Sequence, residues 1–130
     1  MGKKLKRKLV RKKVLVVDDE PDIVEIIMDG LTEGGYEAFG ATNGADGIIV
    51  NAKENPDLII LDLRMPEMDG IETLRHIRKK DAKVRVIFLT AFGNSDIAND
   101  KDDLDISACL TKPIDDNDQL LHVIRNVLGQ

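Results

Sequence analysis

Short aliphatic runs alternate along the chain with longer stretches in which apolar residues return every three or four positions. Val14 to Val17 is the first run, a β-branched segment that stops at Asp18-Asp19-Glu20. Pro21 then stands where a first helical residue is expected, and Ile23, Ile26, Ile27 and Leu31 mark one helix face. Gly30 inside that helix costs about 1 kcal/mol relative to Ala, so a close contact is expected to require it. Gly34-Gly35 stops the helix. Tyr36 to Thr42 reads as a short, weak strand and Asn43-Gly44 as a turn. Ala45, Ile48, Ile49 and Ala52 then mark a second helical face, which stops before Pro56.

The next run, Leu58 to Leu61, is continuously aliphatic and suits a strand buried on both faces. It stops at Asp62. Met65-Pro66 breaks regular structure, and Asp69 is placed to cap a third helix whose apolar positions are Ile71, Leu74 and Ile77. The basic cluster Arg75 to Lys80 suits that helix's C-terminus. Val84 to Leu89 predicts a fourth strand, ending at Thr90. Asn94 to Asp105 predicts a short or frayed fourth helix, with only Ile97, Ala98 and Leu104 able to face a core. Ile106 to Leu110 is the last strand, followed by Thr111-Lys112-Pro113. Leu120, Val123, Ile124, Val127 and Leu128 form the clearest helix face.

Strand and helix alternate five times, without a repeat. Right-handed crossovers then give an α/β fold, a doubly wound parallel sheet with helices on both faces. Composition agrees: of 130 residues 42% are hydrophobic but only 3% aromatic, with no Trp, so Ile, Leu and Val must build the core. The lone Cys109 excludes an internal disulfide and fits a reducing cytosol. No apolar run approaches the roughly 20 residues of a membrane span, and the start lacks a signal-peptide core. A cytoplasmic domain is expected.

Charge divides the chain. Residues 1–13 hold eight of the 19 basic residues and no acid; the remainder holds 11 bases against all 24 acids. We read 1–13 as a basic tail able to contact acidic surfaces and 14–130 as one domain. The domain itself is too acidic to grip nucleic acid through phosphate contacts, and no DNA-binding domain is expected. No G-x-G-x-x-G or P-loop is present for a dinucleotide or nucleoside triphosphate. His76 and His122 fall on predicted helices and read as surface or packing residues rather than phosphodonors or metal ligands.

In a parallel sheet the strand ends gather at one side, here Asp18 and Asp19, Asp62, Thr90 and Lys112. Crowded carboxylates raise one another's pKa unless a cation intervenes. Hard oxygen donors suit Mg²⁺, with Mn²⁺ as a substitute. A cation-holding carboxylate, an ammonium and a hydroxyl are also what a phosphoryl group needs around it. Asp62, lying between the others, is the candidate nucleophile, giving an aspartyl phosphate.

These motifs, V-D-D-E-P, L-D-L-R-M-P-E-M-D-G, F-L-T-A and L-T-K-P in this order, resemble the receiver domain of two-component response regulators, the CheY-like family. The resemblance runs from about Lys13 to Leu128 and implies strand order 2-1-3-4-5. It implies that Asp62 accepts a phosphoryl group from a histidine kinase or phosphotransfer protein. Asp19, Asp62 and the backbone carbonyl of Arg64 would ligate Mg²⁺, with Asp18 acting through metal-bound water. Lys112 would pair with the acceptor, Thr90 would contact a phosphoryl oxygen, and the Lys112-Pro113 bond would often be cis. Cys109 departs from the family, which usually has Tyr or Phe there, and the fourth helix is unusually acidic. The expected function is a stand-alone receiver that signals by binding a downstream protein and catalyses only its own phosphorylation and dephosphorylation. Two rival readings remain open. One is a Mg²⁺-dependent phosphohydrolase with Asp62 as nucleophile, disfavoured by Arg64 where a second acid is usual. The other is a constitutive docking module, kept alive by the two departures.

Overall fold

The computed structural model describes residues 10–91 and 104–130. Within them lie β1 (Lys13–Val17), α1 (Pro21–Glu33), β2 (Glu37–Ala41), α2 (Gly44–Glu54), β3 (Leu58–Asp62), α3 (Gly70–Arg78), β4 (Arg85–Thr90), β5 (Ala108–Thr111) and α4 (Asn117–Leu128). The five strands are parallel and lie in the order β2-β1-β3-β4-β5, as the resemblance implied. Every residue of β3 is buried, whereas β2 and β5, at the two sides of the sheet, are half-exposed. That is why Leu58 to Leu61 can be continuously aliphatic: both faces are covered.

The sheet separates two apolar cores. Alternate residues of β1 feed them, Leu15 and Val17 on one face and Val14 and Val16 on the other. The first core gathers Ile59, Leu61, Leu74, Ile77 and Phe88; the second gathers Ile27, Leu31, Ile60, Leu120 and Ile124. Pro21 opens α1, Gly34 closes it, and Gly35 follows with φ 91°. Asp69 caps α3 as expected, with its carboxylate accepting from the Glu72 N–H at 2.9 Å in a reciprocal capping box. The Gly30 expectation also holds, because a Cβ there would run into the side chain of Asn117, whose Nδ2 donates to the Gly30 carbonyl at 3.3 Å.

Several expectations need correction. Ile26 is 62% exposed, and Val24 takes the inward place instead. The inward face of α2 is Gly44, Gly47 and Asn51, not Ala45, Ile49 and Ala52, which are exposed. Glycine stands at two of those positions because the helix approaches its neighbours closely. A Cβ on Gly47 would lie 2.9 Å from Val17 Cγ2, and one on Gly44 would collide with the Thr73 hydroxyl. Asn43 is the N-cap of α2 rather than part of a free turn; its Oδ1 accepts from the Asp46 N–H at 2.7 Å. Cys109, on β5, is half-buried and packs against the first core. Of the expected fourth helix, residues 94–103 lie outside the described residues; Leu104 is helical and buried.

Candidate functional site

Parallel register brings the strand ends together. Val17 pairs with Leu61, Asp62 with Leu89, and Thr90 with Thr111. Asp18 therefore leaves β1 beside the end of β3, and Lys112 leaves β5 one strand beyond Thr90. The Lys112 N–H donates to the Thr90 carbonyl at 2.8 Å, and the Lys112-Pro113 bond is cis. Behind Asp62 the chain turns back tightly, with the Gly70 N–H donating to the Leu63 carbonyl at 2.8 Å. A Cβ on Gly70 would collide with the Asp62 carbonyl and come within 2.9 Å of Leu63 Cα and 2.8 Å of the Phe88 ring. Only glycine lets α3 start so close to the backbone that holds Asp62.

Lys112 Nζ stands 2.9 Å from Asp18 Oδ2 and 3.3 Å from Asp62 Oδ1. Asp18 is fully buried and Asp62 is 3% exposed. One ammonium thus serves two buried acids, and the balance is unfavourable for the second. Burial, and then the charge of Asp18, raise the Asp62 pKa to about 7; Lys112 opposes this, and a hydrogen bond with Asp19 adds to it. The Lys112 pKa is also raised: burial lowers it, but the contacts with Asp18 and Asp62 outweigh burial.

The carboxylates fit a hard divalent cation. Oxygens of Asp18, Asp19 and Glu20 all lie within 4.8 Å of one another. Asp18 Oδ1 accepts from the Glu20 N–H at 2.9 Å, while its buried Oδ2 has the Lys112 ion pair but no well-directed hydrogen bond among the described residues. An acceptor left in that state, with further carboxylates beside it, suits a cation that prefers oxygen donors.

Of the residues singled out from the sequence, Lys112 contacts both Asp18 and Asp62, and Asp19 lies near enough to help raise the Asp62 pKa. Thr90 is 1% exposed at the end of β4. Arg64 has an exposed side chain, and its N–H reaches Asp62 Oδ1 at 3.4 Å. Glu20 was missed as a donor, although V-D-D-E-P displays it directly after the two aspartates. His76 and His122 are exposed, as expected.

Residues 14–125 match the response regulator receiver domain family. The chain is 36% identical over 107 residues to sporulation initiation phosphotransferase F of Bacillus subtilis, covering 82% of this chain and 86% of that protein. It is 38% identical over 117 residues to the transcriptional regulatory protein GlrR of Escherichia coli, covering 90% of this chain. The match spans only 26% of GlrR. Chemotaxis protein CheY4 of Vibrio cholerae superposes with a TM-score of 0.85 at 27% identity, covering 91% of this chain and 99% of that one.

Proposed function

Since the chain belongs to the response regulator receiver domain family, a family of signalling modules, we propose that Asp62 is its phosphoacceptor and that phosphorylation changes which protein it binds. The donor is a phosphohistidine of a histidine kinase or phosphotransfer protein. An Asp62 carboxylate oxygen attacks phosphorus, the P–N bond breaks, and the donor imidazole leaves with the electron pair and takes up a proton. Water later attacks phosphorus, the acyl phosphate bond breaks at the P–O bond, and inorganic phosphate leaves with Asp62 restored.

The observation that carries this reading is the Lys112 ammonium held between Asp18 and Asp62 at 2.9 and 3.3 Å. It neutralises part of the charge that gathers on the phosphoryl oxygens. Thr90, at the end of the adjoining strand, supplies a hydroxyl to donate to one of those oxygens. Asp18, Asp19 and Glu20 would hold a Mg²⁺ ion together with Asp62 and the Arg64 carbonyl. Bound there, Mg²⁺ supplies positive charge for the phosphoryl oxygens. Burial keeps competing water scarce around Asp62.

The test is labelling with acetyl phosphate and Mg²⁺, with the modified residue mapped by mass spectrometry. Wild type is expected to carry one phosphoryl group on Asp62, Asp62→Asn none, and Thr90→Ala a reduced but measurable amount. Equal labelling of wild type and Asp62→Asn would sink the assignment.

A further inference from the structure

β2 closes one side of the sheet, with β1 on its inner side and no strand beyond it among the described residues. The Glu37 N–H donates to the Lys12 carbonyl and the Ala41 carbonyl accepts from the Asp18 N–H, so these residues turn their backbone groups toward β1. Backbone groups alternate sides along a strand, which turns those of Ala38 and Gly40 to the open side. Edges of this kind are commonly guarded by Lys, Pro or a bulge. β2 has none of the three, and Glu37 at its start is its one charge. The ground beside the edge is apolar. An open cavity of about 460 Å³ there is lined by Val24 and Met28 of α1, by Gly40 and Ala41, and by Ile49 and Val50 of α2. Ile49 is 63% exposed.

The outer face of α2 complements itself. Asp46, Ile49, Val50 and Lys53 stand at i, i+3, i+4 and i+7, one stripe of a helix. Asp46, Ile49 and Lys53 are exposed and Val50 is half-buried. The two aliphatic residues lie midway between the acid and the base. Laid antiparallel against itself, the stripe sets Ile49 and Val50 against the same pair, and each Asp46 against the partner's Lys53. Asp46 Oδ2 also accepts from Asn43 Nδ2 at 3.0 Å, which leaves further lone pairs on the carboxylate. A twofold axis that runs α2 antiparallel to its copy also sets two β2 edges side by side and antiparallel, so strand and helix call for one symmetry. We propose that this face binds a second copy of the chain, the same patch on both, with α2 against α2 and β2 beside β2. Glu37 and, next to Val24 on α1, Glu25 are further exposed acids on these elements. They repel their own copies, so the dimer is weak and reversible. β1 separates β2 from β3, so the dimer stands apart from Asp62.

Sedimentation velocity of the full chain, up to the millimolar range, tests this. Wild type is expected to pass from monomer to dimer as concentration rises. Asp46→Lys and Lys53→Asp each set like charges together, and each should raise the dissociation constant at least about tenfold. An equal mixture of these two variants restores both charge pairs across a twofold axis and should dimerise as wild type does. Ile49→Ser should weaken association at least about tenfold, with a melting temperature near wild type because Ile49 is exposed in the single chain. Hydrogen exchange at the Ala38 and Gly40 amides should slow at high concentration in wild type and not in Ile49→Ser. A chain that stays monomeric throughout overturns the proposal. So does a dimer indifferent to Ile49→Ser, a mixture of folded charge variants that does not recover, or a dimer in which exchange at both amides is unchanged.

Discussion

At the scale of single residues, the Asp62 carboxyl decides the behaviour of the site. Its folded pKa of about 7 stands above its ordinary 3.8. Between those values the native protein keeps a proton that the unfolded chain has lost, so stability falls as pH rises from about 4 to 7 and then levels. In metal-free buffer the wild-type melting temperature should therefore drop between pH 5 and pH 8. In Asp62→Asn that component should vanish. Lys112→Ala removes the opposing charge, and the drop should extend to higher pH. Added Mg²⁺ has to compete with the proton, so it should raise the wild-type melting temperature more at pH 8 than at pH 6. Asp19→Asn should lose most of that gain, and Glu20→Gln part of it. A melting curve indifferent to Mg²⁺ at pH 8 would mean that the carboxylates do not act on one ion.

At the scale of elements, helix starts are the points where one atom matters most. Asp69→Ala removes the side-chain half of the α3 capping box, the bond from the Glu72 N–H, and should cost about 1 kcal/mol, a few degrees in melting temperature. Gly70→Ala, one residue on, should cost about 3 kcal/mol, because its obstacles are the backbone of Asp62 and Leu63 and the Phe88 ring. Gly30→Ala meets only the Asn117 side chain, which can turn aside. Its cost should be small, and the double variant with Asn117→Ala should lose less than Gly30→Ala alone. Thermal melts of these four variants check all three statements.

These same elements show what could be read from sequence. The strands and the cap at Asp69 were legible because each depends on residues near in the chain; at Gly30 a glycine inside a helix signalled a close contact, though not that Asn117 makes it. The inward face of α2 was not. Ile48 and Ile49 advertise an apolar stripe, yet distance to Val17 and Thr73 decides the face, and that distance admits glycine where size would otherwise be favoured. Asn51 is buried there as well, its Nδ2 3.4 Å from Asp81 Oδ2, a pairing 30 residues away that no local pattern reveals. At the site, the strand-end residues were legible, whereas the shared lysine and its two unequal acids required the register of β1, β3 and β5.

At the scale of the whole molecule, the two ends of the described chain come close together. Lys12 and Leu128 line the same cavity, and Gln130 Oε1 accepts from the Tyr36 hydroxyl at 2.8 Å on the same end of the sheet. Asp62 lies at the other end. A circular permutant that links Gln130 to Val10 through a short Gly/Ser segment and opens between Ala82 and Lys83 should fold and keep acetyl phosphate labelling on Asp62. Loss of labelling in a permutant with wild-type circular dichroism would contradict this. Anything joined to the chain, before β1 or after α4, meets it on the side away from Asp62. Such a module can be spliced into a longer polypeptide, or carry a fluorescent protein at either terminus, without the joint crossing the chemistry.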